Sequence, residues 1–278
     1  MRCAVLGSPI AHSLSPSLHR AAYRALGLDW EYDAVEVTEE GLPEFLAGLG
    51  PEWRGLSLTM PLKRVVMPLL DEASETATLA GAANTVVLGD RRTGDNTDVP
   101  GMRRALRERA SAAEFGRAVV LGGGATATSA VLALAGLGCR EVTLYAREPA
   151  RTAETVAAAG RLQSPPRTTV RRLDELSRES AGASRADVVV STIPAAAQPP
   201  YAAELAGVPV VFDVIYDPWP TPLSEAAAAA GRTVVSGLDL LVHQATLQVE
   251  LMTGCDEAPL EEMRRAGLEA LSGRSYQT

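Results

Sequence analysis

The stretch that decides the fold reads Val119-Val120-Leu121-Gly122-Gly123-Gly124-Ala125-Thr126-Ala127. A short apolar run that ends in glycines and continues into an apolar helical pattern is typical of a strand, a tight turn and a helix. Read as GxGxxA, it matches the dinucleotide fingerprint, whose glycines let the backbone approach a pyrophosphate at the helix N-terminus. A second strand is predicted over 142–145, where a βαβ unit requires it. The stretch therefore predicts a Rossmann domain with a dinucleotide site, and a plain βα turn is the alternative.

The residues after this second strand indicate which dinucleotide would bind. Proteins that bind NAD usually place an acidic residue there, which holds the ribose 2′-hydroxyl. In this sequence the strand leads into Arg147, and Arg151 follows about one helical turn later. An arginine at that point suits a 2′-phosphate, so the sequence favours NADP. The neighbouring Glu148 weakens the preference, and an ordinary solvated charge is the alternative interpretation of Arg147.

Length, charge and cysteine content exclude several classes of protein. The 278 residues favour two domains, and the net charge of −8 argues against a nucleic-acid partner or an anionic membrane surface. The cysteines, at positions 3, 139 and 255, are far apart and form no CxxC or Cys/His cluster. This pattern excludes a disulfide framework and a structural zinc site, and it favours a reducing, cytoplasmic location. The uncharged stretch 118–139 could span a bilayer by length, but its glycines and hydroxyl side chains favour a strand, a turn and a buried helix.

Strand and helix patterns alternate along the chain. Strands are predicted over 2–7, 30–37, 55–59, 84–88, 118–121, 142–145, 187–191 and 208–213. Helices are predicted over 15–26, 38–49, 61–80 with a break at Pro68, 102–110, 125–137, 149–159, 238–252 and 259–271, and loops over 163–167 and 194–200. Ser15 and Thr38 are expected to cap their helices, with Pro16 at the first helical position. The alternation predicts an α/β protein with parallel-rich sheets.

A compositional bias makes a few polar residues informative. Lys63 is the only lysine among 26 lysine and arginine residues, and asparagine occurs only at Asn84 and Asn96. Arginine can replace lysine at a solvated surface, but only lysine readily gives up and takes back a proton. Because these three residues fall in one short segment, the pattern favours a proton-transfer role for Lys63. Chance survival at an indifferent surface position is the alternative.

Two further groups could complete a site in the first hundred residues. Ser13 and Ser15 precede a predicted helix, where their hydroxyls and free N–H groups could bind a carboxylate. Thr59 and Lys63 follow a predicted strand, and Asp98 lies at the end of the first predicted domain. If Lys63 and Asp98 meet, the carboxylate orients the ammonium and the pair can shuttle a proton. The alternatives are a plain helix cap at Ser15 and a turn-forming cluster around Asp98.

Five ordered motifs resemble the shikimate dehydrogenase family. They are GSPIAHSLSP at 7–16, SLTMPLK at 57–63, GAANT at 81–85, GDNTD at 94–98 and SGLDLLVHQ at 236–244. The set spans nearly the whole chain and is far more specific than the glycine fingerprint. We expect a cytoplasmic enzyme, monomeric or homodimeric and without a metal. The resemblance implies reversible NADPH-dependent reduction of 3-dehydroshikimate to shikimate, a step of aromatic biosynthesis.

The resemblance also assigns roles to individual residues. It implies that Lys63 and Asp98 form the catalytic pair. It implies substrate binding by Ser13, Ser15, Thr59, Lys63, Asn84, Asp98, Tyr216 and Gln244. It implies cofactor binding by Gly122, Gly123, Gly124, Ala125, Thr126, Arg147, Arg151, Val214 and Gly237.

The position of Gln244 decides the expected domain organisation. It belongs to the substrate set yet follows the Rossmann pattern, so the chain must return to its first domain. We therefore expect an N-terminal α/β substrate domain of residues 1–100 plus 238–278, and a Rossmann NADP-binding domain of residues 101–237. The cleft between domains is the expected location of both ligands.

Two other functions stay open at this point. One is a quinate/shikimate dehydrogenase that uses NAD, which the lack of an acidic residue at the end of the second strand disfavours. The other is a non-catalytic protein that senses shikimate-like acids or NADP, which the presence of both Lys63 and Asp98 disfavours.

Overall fold

The structure, a computed structural model that describes residues 1–178 and 185–275, contains two six-stranded sheets. The strands are β1 (Arg2–Gly7), β2 (Glu31–Glu36), β3 (Trp53–Leu58), β4 (Glu72–Ala73), β5 (Thr85–Val87), β6 (Thr93–Asp95), β7 (Arg117–Leu121), β8 (Glu141–Ala146), β9 (Arg167–Arg172), β10 (Val188–Ser191), β11 (Val210–Asp213) and β12 (Thr233–Val235). The first six strands form one sheet and the last six form the other.

The described α-helices alternate with these strands. They are α1 (Ser15–Ala25), α2 (Leu42–Ala47), α3 (Leu62–Val65), α4 (Glu75–Ala80), α5 (Asp98–Arg109), α6 (Ala125–Ala135), α7 (Ala153–Gly160), α8 (Pro199–Leu205), α9 (Pro222–Ala229), α10 (Gly237–Thr253) and α11 (Leu260–Ser275). The chain divides into two units. The first contains Met1–Thr97 and the described residues from Leu241 onward, and the second contains the described residues of Asp98–Leu240. The predicted α/β class is confirmed.

The sheet of the first unit is mixed. Its order is β2-β1-β3-β5-β6-β4, with β1, β2 and β3 parallel and β5 antiparallel to both of its neighbours. The side chains of Leu6, Leu56 and Leu58 from β1 and β3 pack with Leu42 and Leu62 from the helices in one buried cluster. Removal of this apolar surface from water stabilises the unit and holds the strand ends in place.

The sheet of the second unit is parallel throughout, with the order β12-β11-β10-β7-β8-β9. Its central strands are continuous apolar runs because helices cover both faces of such a sheet. The strand order reverses between β7 and β10, and the glycine-rich turn follows β7 at this switch point. This is the Rossmann arrangement predicted from the glycine fingerprint.

Several local predictions are wrong, each for a physical reason. Ser15 does not cap α1: Leu14 occupies the cap position, and Ser15 is the first helical residue. Thr38 does not cap a long helix either. Its hydroxyl accepts a bond from the Gly41 N–H at 3.3 Å, which forms a turn, so α2 begins only at Leu42.

The predicted helical region 61–80 is also interrupted more than expected. Between α3 and α4 lie a 3-10 turn at Met67–Leu69 and the two-residue strand β4. The short strand β6 was not predicted, because three residues give no alternating pattern to recognise.

Two segments of the second unit form structure that the sequence does not predict. Strand β9 carries three arginines in six residues, and it is tolerated because it is an edge strand that pairs only with β8. Helix α8 begins at Pro199 within the predicted loop 194–200, since proline is well tolerated in the first helical turn.

The uncharged stretch 118–139 forms strand β7, the glycine turn and α6. Within residues 1–178 and 185–275, no helix is long and apolar enough to cross a membrane.

Candidate active site

Strand pairing brings four segments of the first unit to one edge of its sheet. Parallel β1 and β3 both end there, and antiparallel β5 begins there because Ser57 of β3 pairs with Thr85 of β5. Strand β6 ends at the same edge, since Thr85 pairs with Asp95. The segments that carry the predicted residues Thr59, Lys63 and Asn84 therefore leave the sheet side by side.

Asn84 is the centre of a buried hydrogen-bond cluster at this edge. Its Oδ1 accepts from the Thr97 N–H at 2.8 Å and from the Thr85 hydroxyl at 2.9 Å. Its Nδ2 donates to the Thr97 hydroxyl at 2.9 Å and to Oε1 of Gln244 at 3.1 Å. The structure thus brings the predicted residues Asn84 and Gln244 together. Thr97 was not among the predicted site residues, although its place beside Asp98 in the GDNTD motif was a usable signal.

A second glutamine of α10, Gln248, anchors that helix to the same sheet edge. Its Nε2 donates to the Asn84 carbonyl oxygen and to the Thr85 hydroxyl, both at 3.0 Å. Its Oε1 accepts from the Ser57 hydroxyl at 2.9 Å, and that hydroxyl accepts from the Tyr32 hydroxyl at 2.6 Å. Gln248 was missed by sequence reasoning, but its position four residues after Gln244 puts both on one helix face.

Lys63 lies in the short helix α3 immediately after β3. Its carbonyl oxygen accepts from the Ala83 N–H at 2.8 Å, which ties the lysine backbone to the segment that leads into Asn84. The side chain is half-buried. Gly7 is required nearby, because a Cβ there would collide with the Thr59 side chain and lie 2.9 Å from the Met60 carbonyl oxygen. The close approach of β1 and β3 thus sets the position of the lysine segment.

The two predicted serines lie at the start of α1, and a buried histidine supports them. The hydroxyl of Ser13 accepts from the Ser15 N–H at 3.3 Å. The Ser15 carbonyl oxygen accepts from Nδ1 of His19 at 2.9 Å, and the His19 ring stacks on Tyr32 with centroids 3.9 Å apart. Burial lowers the pKa of His19 to about 4, so the ring is neutral at physiological pH and carries its proton on Nδ1.

Two of the three glycines in the turn of the second unit leave no room for a side chain. Gly122 has φ of 115°, a left-handed conformation that side chains rarely adopt, and a Cβ there would collide with the Thr192 hydroxyl. A Cβ on Gly123 would lie 3.1 Å from the Arg151 carbonyl oxygen. Gly124 occupies the cap position of α6 without a side-chain cap bond, and the space around it is open. The turn therefore presents bare backbone at a helix N-terminus, which suits a pyrophosphate.

The predicted arginines follow the neighbouring strand. Arg147 comes directly after β8, Arg151 lies in the 3-10 turn Pro149–Thr152, and both side chains are exposed. Strands β7 and β8 pair in parallel, with Leu121 opposite Tyr145, so the glycine turn and the arginine turn leave the sheet at the same edge. Ala125 and Thr126 begin α6 at that edge.

The remaining predicted residues of the second unit lie at the ends of β11, α10 and α5. Gly237 approaches the segment after β11 so closely that a Cβ would lie 2.6 Å from the Ile215 carbonyl oxygen, which accepts the Gly237 N–H at 3.3 Å. Val214 and Tyr216 flank Ile215 in that segment. Asp98 is the buried first residue of α5 and follows Thr97 directly in the chain.

Asp239 was missed by sequence reasoning and fixes the start of α10. Its Oδ1 accepts two bonds from the Arg109 guanidinium, at 3.0 and 2.7 Å. Its Oδ2 accepts from the N–H and the hydroxyl of Ser236, at 2.9 and 2.8 Å. These bonds hold Gly237 in the position that its close approach to Ile215 requires. Among the described residues, no three His, Cys, Asp or Glu side chains are grouped so that they could hold a metal ion.

Comparison with known proteins identifies the family. A family model described as the shikimate dehydrogenase substrate binding domain matches residues 5–86, and one described as the shikimate 5′-dehydrogenase C-terminal domain matches residues 237–266. The shikimate dehydrogenase (NADP(+)) of Desulfitobacterium hafniense is 37% identical over 97% of this chain and 98% of its own.

Two solved structures agree with this match. The Mycobacterium tuberculosis shikimate dehydrogenase is 45% identical, with a TM-score of 0.86 over 96% of this chain and 99% of that one. The Thermus thermophilus shikimate 5-dehydrogenase, solved with NADP(H) and shikimate, is 32% identical, with a TM-score of 0.83 over 97% of this chain and 99% of that one. The resemblance found in the five motifs is confirmed: with such identity over nearly the full length of each chain, this protein belongs to the shikimate dehydrogenase family.

Proposed function

We propose that this chain is an NADP-dependent oxidoreductase that catalyses the reversible reduction of 3-dehydroshikimate to shikimate. The observation that carries the proposal is the polar sheet edge of the first unit. Asn84, Thr97 and Gln244 form a buried hydrogen-bond cluster there, and the backbone of Lys63 is tied to the same segment. Such a cluster offers fixed donors and acceptors to a small polyhydroxylated acid, and a lysine offers it a transferable proton.

The residues of the second unit fit NADP. The glycine turn and the open N-terminus of α6 suit the pyrophosphate, and the proposed contacts there are Gly122, Gly123, Gly124, Ala125 and Thr126. Arg147 and Arg151 leave the sheet at the same edge and suit the 2′-phosphate. Val214 and Gly237 are proposed to contact the nicotinamide end, since the carboxyl ends of β7 and β11 lie on one edge of a parallel sheet.

The chemistry assigned to the chain is binding, orientation and proton transfer. Bound NADPH supplies the hydride that the ketone carbon of the substrate accepts. We assign the substrate carboxylate to the hydroxyls of Ser13 and Ser15, and its hydroxyl groups and ring to Thr59, Asn84, Asp98, Tyr216 and Gln244. Lys63 donates a proton to the developing alkoxide oxygen, and it takes that proton back when shikimate is oxidised. Asp98 orients the ammonium of Lys63 for both directions.

We propose that the two domains bind different ligands. Residues 1–100 and 238–278 would bind the substrate, and residues 101–237 would bind the cofactor. The net charge of −8 supports a protein without a nucleic-acid partner, and the three free cysteines support a cytoplasmic location. We propose a monomer or a homodimer.

Oxidation of NADPH in the presence of 3-dehydroshikimate tests the proposed function. The purified chain should consume NADPH only when 3-dehydroshikimate is present, and it should reduce NADP when given shikimate. Parallel reactions with NADH and with quinate separate this function from an NAD-linked quinate/shikimate dehydrogenase. Tight binding of NADPH and shikimate without turnover in either direction would instead indicate a sensor and overturn the proposal.

A further inference from the structure

One buried carboxylate holds both ends of the loop that follows β11. Asp213, the last residue of that strand, is 0% exposed. Its Oδ1 accepts from the Ile215 N–H at 3.1 Å, and its Oδ2 accepts from the Thr221 hydroxyl at 2.6 Å. The loop of residues 214–220 therefore leaves and re-enters the fold at the same side chain.

The hydrogen-bond partners of Asp213 are themselves held by further hydrogen bonds. Nε2 of Gln198 donates to its Oδ2 at 2.8 Å, while Oε1 of Gln198 accepts from the Leu223 N–H at 3.2 Å. The Thr221 hydroxyl accepts from the Ser224 N–H as the cap of α9, so its single proton can point at Asp213, at 2.6 Å, or at the Ser224 hydroxyl, at 3.1 Å. The shorter distance favours the bond to Asp213, which therefore accepts from both Thr221 and Gln198.

A carboxylate in this position is costly to the fold. Burial raises the pKa of Asp213, and hydrogen bonds from Thr221, Ile215 and Gln198 oppose that rise. Buried ion pairs can often be replaced as a whole by apolar residues without loss of stability, so a buried charge is weak evidence of a stabilising role. The network is therefore better explained by the conformation that it imposes on the loop than by a contribution to stability.

The network fixes the backbone at Ile215 and so limits the movement of the residues on either side of it. The Ile215 N–H is held by Asp213, and its carbonyl oxygen is held by the Gly237 N–H. With both polar groups of one peptide segment fixed, Val214 and Tyr216 cannot shift independently of β11 and α10. These are the two loop residues to which the proposed function assigns contacts with the nicotinamide end and the substrate.

We propose that Asp213 is a positioning residue, whose carboxylate clamps the ends of loop 214–220 and so aligns Val214 and Tyr216 for the reduction. This inference rests on the proposed function for its kinetic consequence, but the clamp itself is a property of the loop.

The kinetic test uses Asp213→Asn, which keeps the shape of the side chain but replaces one carboxylate oxygen by an amide NH2 group. This donor faces either the donors of Thr221 and Gln198 or the Ile215 N–H. We expect kcat/KM for 3-dehydroshikimate to fall roughly 10- to 100-fold, the effect of a shift of about 1 Å in a group that positions the substrate. The Kd of adenosine 2′,5′-bisphosphate, a cofactor fragment without nicotinamide, should stay unchanged. Asp187→Asn is the matched control, since Asp187 accepts a backbone bond from Arg117 at the opposite end of the same sheet. This control should keep normal kcat/KM.

A second pair of variants tests the clamp if Asp213→Asn does not fold. Thr221→Val removes the hydroxyl that bonds to Asp213, and Thr221→Ser keeps it. We expect Thr221→Val to lower kcat/KM and Thr221→Ser to restore it. The double variant Asp213→Asn/Thr221→Val should show less than the summed loss, because both changes break one contact.

A spectroscopic readout tests the loop without reference to catalysis. Trp219 lies in the loop, and Trp30 and Trp53 lie in the first unit. The protein is labelled with 5-fluorotryptophan, and the fluorine NMR resonance of Trp219 is assigned with the variant Trp219→Phe. This resonance should shift or broaden in Asp213→Asn and in Thr221→Val. The other two resonances should not change.

The two readouts separate failure of the clamp from failure of the proposed function. If wild-type protein does not reduce 3-dehydroshikimate but the Trp219 resonance responds as expected, the proposed function is wrong, and with it the catalytic purpose of the clamp. If wild-type protein is active while both variants keep its kcat/KM and its Trp219 resonance, Asp213 does not position the loop. Equal loss of kcat/KM and of adenosine 2′,5′-bisphosphate binding would make Asp213 a residue of general structural importance only.

Discussion

Asn84 and Gln244 are 160 positions apart in the chain, yet Nδ2 of Asn84 donates a hydrogen bond to Oε1 of Gln244 at 3.1 Å. Gln244 in turn donates to the Leu241 carbonyl oxygen at 3.0 Å, within its own helix. This hydrogen bond joins the sheet edge of the first unit to helix α10. It explains why α10 from Leu241 onward belongs to the first unit, although it follows the Rossmann strands in sequence.

Gln244→Ala should impair both stability and substrate binding. The change leaves Nδ2 of buried Asn84 without one of its acceptors, which costs about 1–3 kcal/mol of unfolding free energy. The KM for shikimate should rise, while the Kd for NADPH should not, because the cluster lies in the unit that does not carry the glycine turn. Urea denaturation and steady-state kinetics measure the two effects. Gln163→Ala, at an exposed position, is the control and should change neither quantity.

Lys63→Arg tests proton transfer by the only lysine. Arginine keeps the positive charge but does not exchange its proton, so turnover should drop roughly 10²- to 10⁴-fold, the usual contribution of general acid–base catalysis. KM should change less than kcat, because the lost interaction belongs mainly to the transition state. Asp98→Asn should show a related defect that is not additive with Lys63→Arg. Near-normal turnover in Lys63→Arg would reduce Lys63 to a charge that attracts the substrate.

Arg147→Ala tests the choice of cofactor. Loss of a charge-assisted hydrogen bond to the 2′-phosphate should weaken NADPH binding by about 1–3 kcal/mol, whereas use of NADH should hardly change. Fluorescence titration with NADPH and NADH compares the two affinities directly. Arg140→Ala, an exposed arginine before β8, serves as the control for loss of a positive charge on the same unit. An equal loss of affinity for both cofactors would show that Arg147 does not bind the 2′-phosphate.

His19 should make the stability of the protein depend on pH. Its pKa is lowered from 6.5 to about 4 in the folded protein, so between these values the unfolded chain binds a proton that the folded protein does not. The contribution of the neutral His19 ring to the free energy of unfolding is therefore fully present above pH 6.5. It is lost as the pH falls toward 4, by up to ~3 kcal/mol.

The matched variant for this test is His19→Asn, whose amide can donate to the Ser15 carbonyl oxygen but does not titrate. Urea denaturation across that pH range measures the free energy of unfolding of both proteins. Plotted against pH, this free energy should rise more steeply for the wild type than for His19→Asn. Parallel curves would mean that His19 does not titrate as a buried neutral ring.

Much of the fold could be predicted because its signals are local. Strand β1 agrees with the predicted strand at residues 2–7, and the glycine turn after β7 lies where the fingerprint placed it. Apolar runs and glycines act over a few residues, so the chain itself carries this information. The expected cap at Ser15 is wrong because the Ser13 hydroxyl accepts from the Ser15 N–H, and the first helical residue is Ser15 instead of Pro16.

The sequence by itself determined the α/β class, the Rossmann turn and the family, since each depends on residue types at short, fixed spacings. Only the tertiary structure decided that Thr97 and Gln248 complete the cluster around Asn84, and that Asp213 holds both ends of loop 214–220. These contacts join residues from separate strands and helices, whose approach depends on strand order and on the antiparallel direction of β5. No local pattern records that direction, because a strand of three residues reads the same whichever way its neighbour runs.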